Sequence, residues 1–182
     1  QRDIDENMKN AKAYIAALKL KNDWEEAGRL LKELADALGT LETMCEYVDF
    51  SMQQNQYAEA ETYCKLLQNR LDVLAKSNQD VYENLAVSIC NTLGIIYHNT
   101  QRFDESEKIH KATLDITKRL AESNPQTYEP DLGRSYNNLA VLYSDTQRFN
   151  ESEKMYKAAL DIYKRLAESN PQAYEPDLAR NF

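Results

Sequence analysis

The chain has 182 residues, of which 42% are hydrophobic and 29% charged, and it contains four glycines and four prolines. Helix-forming residues dominate, so the composition indicates one or two helix-rich domains with a soluble surface. The formal net charge of -8, without a stripe of Lys and Arg, argues against nucleic acid and against an anionic membrane as partners, because both attract clustered cations.

The three cysteines, Cys45, Cys64 and Cys90, form neither a CxxC pair nor an even set. Reduced thiols in a cytoplasmic protein therefore fit better than a disulfide framework, and no metal site is predicted. No apolar stretch reaches the length of a membrane span, and no signal peptide is recognisable. Because the chain stops at Phe182 inside a recognisable unit, we expect it to be part of a longer protein.

The N-terminal part of the chain contains two pairs of predicted helices. In the first pair, WEEAGRLLKEL from Trp24 starts the second helix, and the first helix has apolar residues at helical spacing, namely Ala11, Tyr14, Ile15 and Leu18. In the second pair, the sequence from Tyr57 is a diverged copy of later segments and follows a weak first helix with Met44, Tyr47 and Val48. Trp24 precedes Tyr57 by 33 residues, which predicts a shorter unit of about 34 residues, the length typical of such helical repeats.

The C-terminal part repeats itself with a longer period. Residues 101–136 recur as residues 147–182, an offset of 46, with 27 of 36 aligned positions identical. In the last copy, apolar and small residues recur at helical spacing along one face: Ser152, Tyr156, Ala159, Leu160, Tyr163 and Leu166. Such a period predicts stacked helical hairpins, each burying its apolar face against its neighbours.

Start and stop signals divide each long unit into two helices. Asp104 with Glu107, and the equivalent Asn150 with Glu153, predict a capping box at the start of the second helix. Asn124 before Pro125 predicts its end, since Asn tolerates the left-handed cap and Pro cannot continue a helix. Pro130 is then expected in the first turn of the next helix.

The first helix of the fourth unit carries Tyr136, Leu139, Ala140 and Tyr143, followed by Ser152, Tyr156 and Ala159 on the second helix. The third unit carries Cys90, Leu93, Gly94 and Tyr97, then Ser106, His110 and Thr113. A small residue recurs at Gly94 and Ala140, where we expect two helices to approach closely. This pattern resembles the tetratricopeptide repeat (TPR), and the long unit is similar to those of kinesin light chains and bacterial signalling proteins.

The resemblance implies an all-α fold, a right-handed α-α superhelix (TPR solenoid) of antiparallel helix pairs. We predict a single array over residues 1–182, with repeats at 8–40, 41–86, 87–132 and 133–178 and the start of a fifth at 179–182. It also implies a concave groove lined mainly by first helices.

The groove-facing candidates by position in the family pattern are Asn91, Thr92, His98, Arg134, Asn137, Asn138, Ser144 and Arg180. Paired Asn side chains can donate to and accept from the backbone of an extended peptide. Arg134 and Arg180 occupy equivalent places and can hold a carboxylate. Ordinary solvated side chains in a shallow groove are the alternative interpretation.

His110 aligns with Tyr156, so we expect a buried histidine with a satisfied ring, and His98 is expected in the groove or on the surface. Cys64 and Cys90 fall at core positions. No GxSxG, glycine-rich phosphate loop or HExxH occurs, so neither an enzyme activity nor a cofactor is predicted.

The predicted function is a protein- or peptide-binding scaffold, and the acidic balance weakly favours neutral or basic peptides or merely keeps the protein in solution. A regulatory or sensor module of a bacterial multidomain signalling protein is one alternative. Another is a structural array that self-associates through an open C-terminal repeat end.

Overall fold

The structure, a computed structural model, describes the backbone of residues 2–74 and 79–169 and the side chains of residues 7–74 and 83–168. Over these residues the chain forms helices and turns without a strand, which confirms the predicted all-α class. In chain order the helices are α1 (Arg2–Leu20), α2 (Trp24–Leu38), α3 (Leu41–Gln53), α4 (Tyr57–Leu74), α5 (Gln79–Asn99), α6 (Phe103–Ser123), α7 (Pro125–Asp145) and α8 (Phe149–Ser169).

The chain divides into two compact units, an N-terminal unit (Gln1–Val73) and a C-terminal unit (Leu74–Phe182). In the N-terminal unit, α2 packs against both α1 and α3. In the C-terminal unit, α5 packs on α6, α6 on α7 and α7 on α8, and α5 also contacts α7. The two first helices of the C-terminal unit therefore lie side by side, as a groove between them requires.

The helices of each described hairpin are joined by the same tight turn. One residue of each turn has a left-handed backbone conformation, with φ between 56° and 60°: Asn22, Asn55, Gln101 and Gln147. The next backbone N–H donates to the carbonyl five residues earlier, at 2.7 Å from Arg102 to Tyr97 and at 3.0 Å from Asp23 to Leu18. This bond is typical of the Schellman motif, and it recurs even in the hairpins whose sequences fit the repeat pattern least.

The predicted helix boundaries need two corrections. The second helices do not use the predicted capping boxes, because α6 begins at Phe103 and its N-cap, Arg102, makes no side-chain cap hydrogen bond. Asp104 lies inside the first turn of α6, where its negative charge interacts favourably with the positive end of the helix dipole. The equivalent Asn150 likewise lies inside α8.

The second correction concerns the start of α7. This helix begins at Pro125, and Pro130 lies inside it rather than in its first turn. Asn124 has an extended φ of -148° instead of the predicted left-handed cap, and its side chain accepts a hydrogen bond from the Thr127 N–H at 3.2 Å. The Asn-Pro pair therefore ends α6 and starts α7 at once. The predicted boundaries at 87 and 133 fall inside α5 and α7, and the division into repeats stays a prediction.

Small residues hold the two helices of each C-terminal hairpin close together. A Cβ atom at Gly94 would lie only 2.3 Å from Cε1 of His110, which confirms the close approach expected there. The hydroxyl of Ser106 donates to the carbonyl of Gly94 at 2.8 Å, and Ser152 donates to Ala140 at the same distance. Within the described part of the chain, no helix has a window long and apolar enough to cross a membrane.

Candidate functional site

The neighbouring first helices α5 and α7 bring two of the predicted groove residues together. Nδ2 of Asn138 donates to Oδ1 of Asn91 at 3.2 Å. The two residues are 47 positions apart and are therefore not equivalent in the 46-residue repeat, where Asn137 corresponds to Asn91. The pairing arises from the way α5 and α7 pack.

This amide pair leaves hydrogen-bonding capacity unused. Asn91 is only 6% exposed, and its Nδ2 has no hydrogen-bond partner. A buried polar group without a partner costs about 1–3 kcal/mol. No hydrogen bond from the described residues reaches Oδ1 of Asn138 either. The pair thus leaves one buried donor, Nδ2 of Asn91, and one acceptor, Oδ1 of Asn138, without a partner among the described residues.

The other predicted groove residues have different surroundings. The hydroxyl of Thr92 donates to the Ser88 carbonyl on its own helix at 3.1 Å. Arg134 is exposed and forms an ion pair with Asp131, one turn earlier on α7. Further along α7, Asn137 and Ser144 are half-buried. Arg180 lies outside the described residues, so the predicted pair of arginines remains a prediction.

His98 links the ends of the same two helices. Its Nε2 donates to Oδ2 of Asp145 at 2.8 Å, and its side chain is 21% exposed. The imidazole also lies 5.8 Å from the ring of Phe103 at the start of α6. Helices α5 and α7 are therefore bridged by the asparagine pair and, near their C-termini, by His98 and Asp145.

A charged network that sequence reasoning missed joins α6 to the next hairpin. The Arg148 guanidinium lies 4.2 Å from the centre of the Tyr143 ring and donates to Glu107 at 2.7 Å. The hydroxyl of Tyr143 donates to the same carboxylate at 3.1 Å. The hydrogen bond from Arg148, aided by Lys111 and Tyr143, lowers the pKa of Glu107 to about 2. In the sequence, this network is marked by an Arg that follows a Tyr by five residues in both long units.

The buried histidine differs in one respect from the prediction. His110 is 2% exposed, as predicted, but its Nδ1 has no hydrogen-bond partner, so the expectation of a satisfied ring was wrong. Burial lowers its pKa to about 4, and the nearby charge of His98 acts in the same direction. Of the two cysteines placed in the core, Cys64 is buried and Cys90 is half-buried. Among the described residues, no three His, Cys, Asp or Glu side chains cluster as metal ligands.

The N-terminal unit contains a cavity that sequence reasoning did not find. It has a volume of about 350 Å³ and lies between α1 and α3, with Leu31 of α2 also in its lining. Every predicted groove residue lies in the C-terminal unit, because the first two units fit the repeat pattern poorly. In the sequence, the residues that line this cavity recur about one helical turn apart on each of the two helices: Lys12, Ile15, Ala16 and Lys19 on α1, then Glu46, Asp49, Phe50 and Gln53 on α3.

Comparison with known proteins agrees with this helical-repeat architecture. Residues 84–165 match the sequence profile described as tetratricopeptide repeat. No curated protein matches the chain. The solved structure of BtubC (BKLC) from P. vanneervenii is 23% identical, with a TM-score of 0.56 over 86% of this chain and 58% of that one. This chain thus spans little more than half the length of BtubC.

Two structures of MamA are also similar. The AMB-1 protein is 20% identical, with a TM-score of 0.54 over 82% of this chain and 69% of that one. The MSR-1 protein is 20% identical, with a TM-score of 0.55 over 83% and 74%. At these identities the similarity establishes a shared fold.

Proposed function

We propose that this chain, whose residues 84–165 match the tetratricopeptide repeat, is a non-catalytic module of that family that binds another protein in a groove between α5 and α7. Repeat proteins of this kind are in general scaffolds for protein interaction, because stacked hairpins create an extended concave surface. The bound element is an extended peptide segment, and the array works in the cytoplasm.

The observation that carries the proposal is the asparagine pair. Asn91 and Asn138 already bond to each other, and this bond holds both amides in place. After a small shift of the buried Asn91 side chain, its Nδ2 can donate to a peptide carbonyl, and the amide oxygen of Asn138 can accept from a peptide N–H. A bound peptide group would satisfy the buried donor, so binding removes a cost that the free protein carries.

The partner's side chains are less tightly specified than its backbone. Ile95 on α5 is 39% exposed and offers apolar contact, and Asp131 is already paired with Arg134. A net charge of -8 on the whole chain favours neutral or basic peptides over acidic ones. We therefore expect an extended, uncharged or basic segment as ligand.

A peptide selection tests this groove. A randomised peptide library is panned against the immobilised wild-type chain, and each selected peptide is then titrated against wild type and an Asn91→Ala/Asn138→Ala variant by fluorescence anisotropy. Loss of two hydrogen bonds should weaken binding by about 10- to 100-fold. The matched control is Asn99→Ala, which removes an exposed amide from the end of the same helix and should leave affinity unchanged.

Far-UV circular dichroism establishes that each variant is folded before its affinity is compared. Equal affinity of wild type and the double variant for every selected peptide would place binding elsewhere on the protein. Failure to select any peptide would contradict a peptide-binding groove altogether.

The alternatives keep the status of predictions. A regulatory or sensor role and the similarity to kinesin light chains both stay predictions. Self-association through the C-terminal repeat end involves residues 179–182, which lie outside the described residues.

A further inference from the structure

The two long hairpins have the same pair of side chains at their turns. In each, an Arg guanidinium lies 4.2 Å from the centre of the ring of the Tyr five residues earlier: Arg102 over Tyr97 and Arg148 over Tyr143. We call each of these a Tyr–Arg pair. The Nε of Arg102 donates to Glu105 at 2.6 Å, and that of Arg148 donates to Glu151 at 2.7 Å. The guanidinium of each Tyr–Arg pair is therefore held in one orientation.

In the hairpin of α7 and α8, the Tyr–Arg pair also binds the hairpin before it. Arg148 donates to Oε2 of Glu107 on α6 at 2.7 Å, and the hydroxyl of Tyr143 donates to Oε1 of Glu107 at 3.1 Å. Lys111, one turn further along α6, binds the same carboxylate at 2.7 Å. Both oxygens of Glu107 are therefore bound, and its side chain is only 21% exposed. Such charge-assisted hydrogen bonds stabilise the contact between the two hairpins.

Helix α8 repeats the acceptor side of this contact. Glu153 and Lys157 lie 46 residues after Glu107 and Lys111, and Lys157 donates to Glu153 in the same way. The Glu153 side chain, however, is 63% exposed, and Lys157 is its sole ion-pair partner among the described residues. The Glu and the Lys of the acceptor are thus present on α8 without the Arg and the Tyr that complete the contact on α6.

The hairpins of the N-terminal unit have no Tyr–Arg pair. The backbone bond that closes each turn identifies the residues equivalent to the Arg and the Tyr: Asp23 bonded to Leu18, and Gln56 bonded to Ser51. An Asp or a Gln therefore lies where both long hairpins have Arg. If a second copy of this chain stacked its first hairpin on α8, Asp23 would meet Glu153, and like charges repel.

We propose that the face of α8 with Glu153 and Lys157 is the docking surface for a further 46-residue hairpin of the same chain, one that has a Tyr–Arg pair. The Arg and the Tyr hydroxyl of that hairpin bind the Glu153 carboxylate, while Lys157 stays bonded to it. The N-terminal hairpins of a second copy do not bind here, because they lack the Arg. This inference goes beyond the proposed function, since the surface lies on a second helix and its ligand is a folded hairpin rather than a peptide.

The experiment compares the full chain with the same chain extended after Phe182 by a second copy of residues 137–182. This copy continues the 46-residue period, because Phe182 aligns with Tyr136, and it supplies a further Tyr–Arg pair. Urea unfolding at neutral pH, followed by circular dichroism, gives the midpoint of each protein. Glu107→Gln in the full chain is the reference, and it should lower the midpoint because it weakens the contact with Arg148.

The substitution Glu153→Gln should have different effects in the two chains. In the full chain it should leave the midpoint unchanged, since so exposed an ion pair contributes little. In the extended chain it should lower the midpoint about as much as Glu107→Gln does in the full chain. The matched control is an extended chain in which the added copy of Arg148 is replaced by methionine. There Glu153→Gln should again have no effect, as a double-mutant cycle requires for a direct contact.

Three results would overturn the proposal. The first is an extended chain whose midpoint is unchanged by Glu153→Gln but is lowered by Glu107→Gln. The second is an added hairpin that does not fold, which circular dichroism would show as a helix content no higher than that of the full chain. The third is a dimer of the full chain, detected by sedimentation velocity, that Glu153→Gln abolishes, because a second copy would then be the occupant. These measurements do not involve Asn91 or Asn138, so they do not bear on the peptide groove.

Discussion

At the residue scale, one of the differences between the two long hairpins lies at two positions that face each other in the core. Gly94 and His110 stand in one hairpin where Ala140 and Tyr156 stand in the next. The His110 ring lies directly over Gly94, and the imidazole is 2% exposed. The position that holds Tyr156 in the last hairpin therefore contains a buried imidazole in the hairpin before it.

Replacing Gly94 by alanine should destabilise the C-terminal unit. The new methyl group would lie 2.3 Å from Cε1 of His110, and such overpacking costs about 1–3 kcal/mol. This outweighs the roughly 1 kcal/mol by which alanine favours a helix over glycine. Urea unfolding followed by circular dichroism measures the change. The reverse substitution, Ala140→Gly, is the control and should cost only about 1 kcal/mol; a higher midpoint for Gly94→Ala would contradict the close packing.

The buried imidazole should make stability depend on pH. Because burial lowers the pKa of His110 from 6.5 to about 4, the unfolded chain binds its proton more readily than the folded chain. The contribution of this group is therefore complete above pH 6.5 and is lost as the pH falls toward 4. The full effect is roughly 3 kcal/mol by linkage.

Urea unfolding of wild type and His110→Phe at pH 7, 5.5 and 4 tests this dependence. Wild type should lose more stability than the variant between pH 6.5 and 4, because phenylalanine cannot take up a proton. Tyr156→Phe, at the equivalent position of the next hairpin, is the control, since tyrosine does not titrate in this range and the variant should follow wild type. Parallel curves for wild type and His110→Phe would show that His110 does not titrate in this window.

At the element scale, the turn inside each hairpin repeats more faithfully than the sequence does. Two turns use Asn and two use Gln at the left-handed position. Asparagine visits this region with little strain, whereas glutamine has no local hydrogen bond to compensate for its Cβ contact. Gln101 and Gln147 therefore carry backbone strain, and the close antiparallel packing of the two helices offsets it.

Replacing Gln147 by glycine should relieve this strain. Its φ of 60° is costly for a residue with a Cβ atom and free of cost for glycine, so stability should rise by about 0.5–1 kcal/mol. Thermal unfolding detects such a change. Gln126→Gly makes the same substitution in the first turn of α7 and should lower stability. If Gln147→Gly lowered stability as much as Gln126→Gly does, a left-handed conformation of Gln147 would be excluded.

At the scale of the whole molecule, each unit has its own candidate site between neighbouring first helices. In the C-terminal unit the site is an uncharged amide pair, Asn91 with Asn138. In the N-terminal unit it is a cavity with a charged rim. The uncharged amide pair suits a neutral or basic partner, in agreement with the net charge of -8.

The all-α class, the paired helices and the small residue at Gly94 were predictable because they follow from local propensity and from a period that repeats along the chain. The candidate groove residues stay a prediction, made as a set from the helix face that the repeat pattern assigns to them. The bond from Asn138 to Asn91, rather than between the equivalent residues Asn91 and Asn137, depends on the offset between two packed helices. That offset cannot be obtained by counting positions along the sequence.

The sequence by itself determined the helices, their order and their apolar faces, because these depend on residues close together along the chain. Only the tertiary structure decided which polar groups stay without partners, such as Nδ2 of Asn91 and the carboxylate of Asp49, because partners come from helices far apart in sequence. It also decided where space remains between helices, as at the cavity over Phe50. Binding depends on such unpaired groups and unfilled spaces, which are properties of packing rather than of pattern.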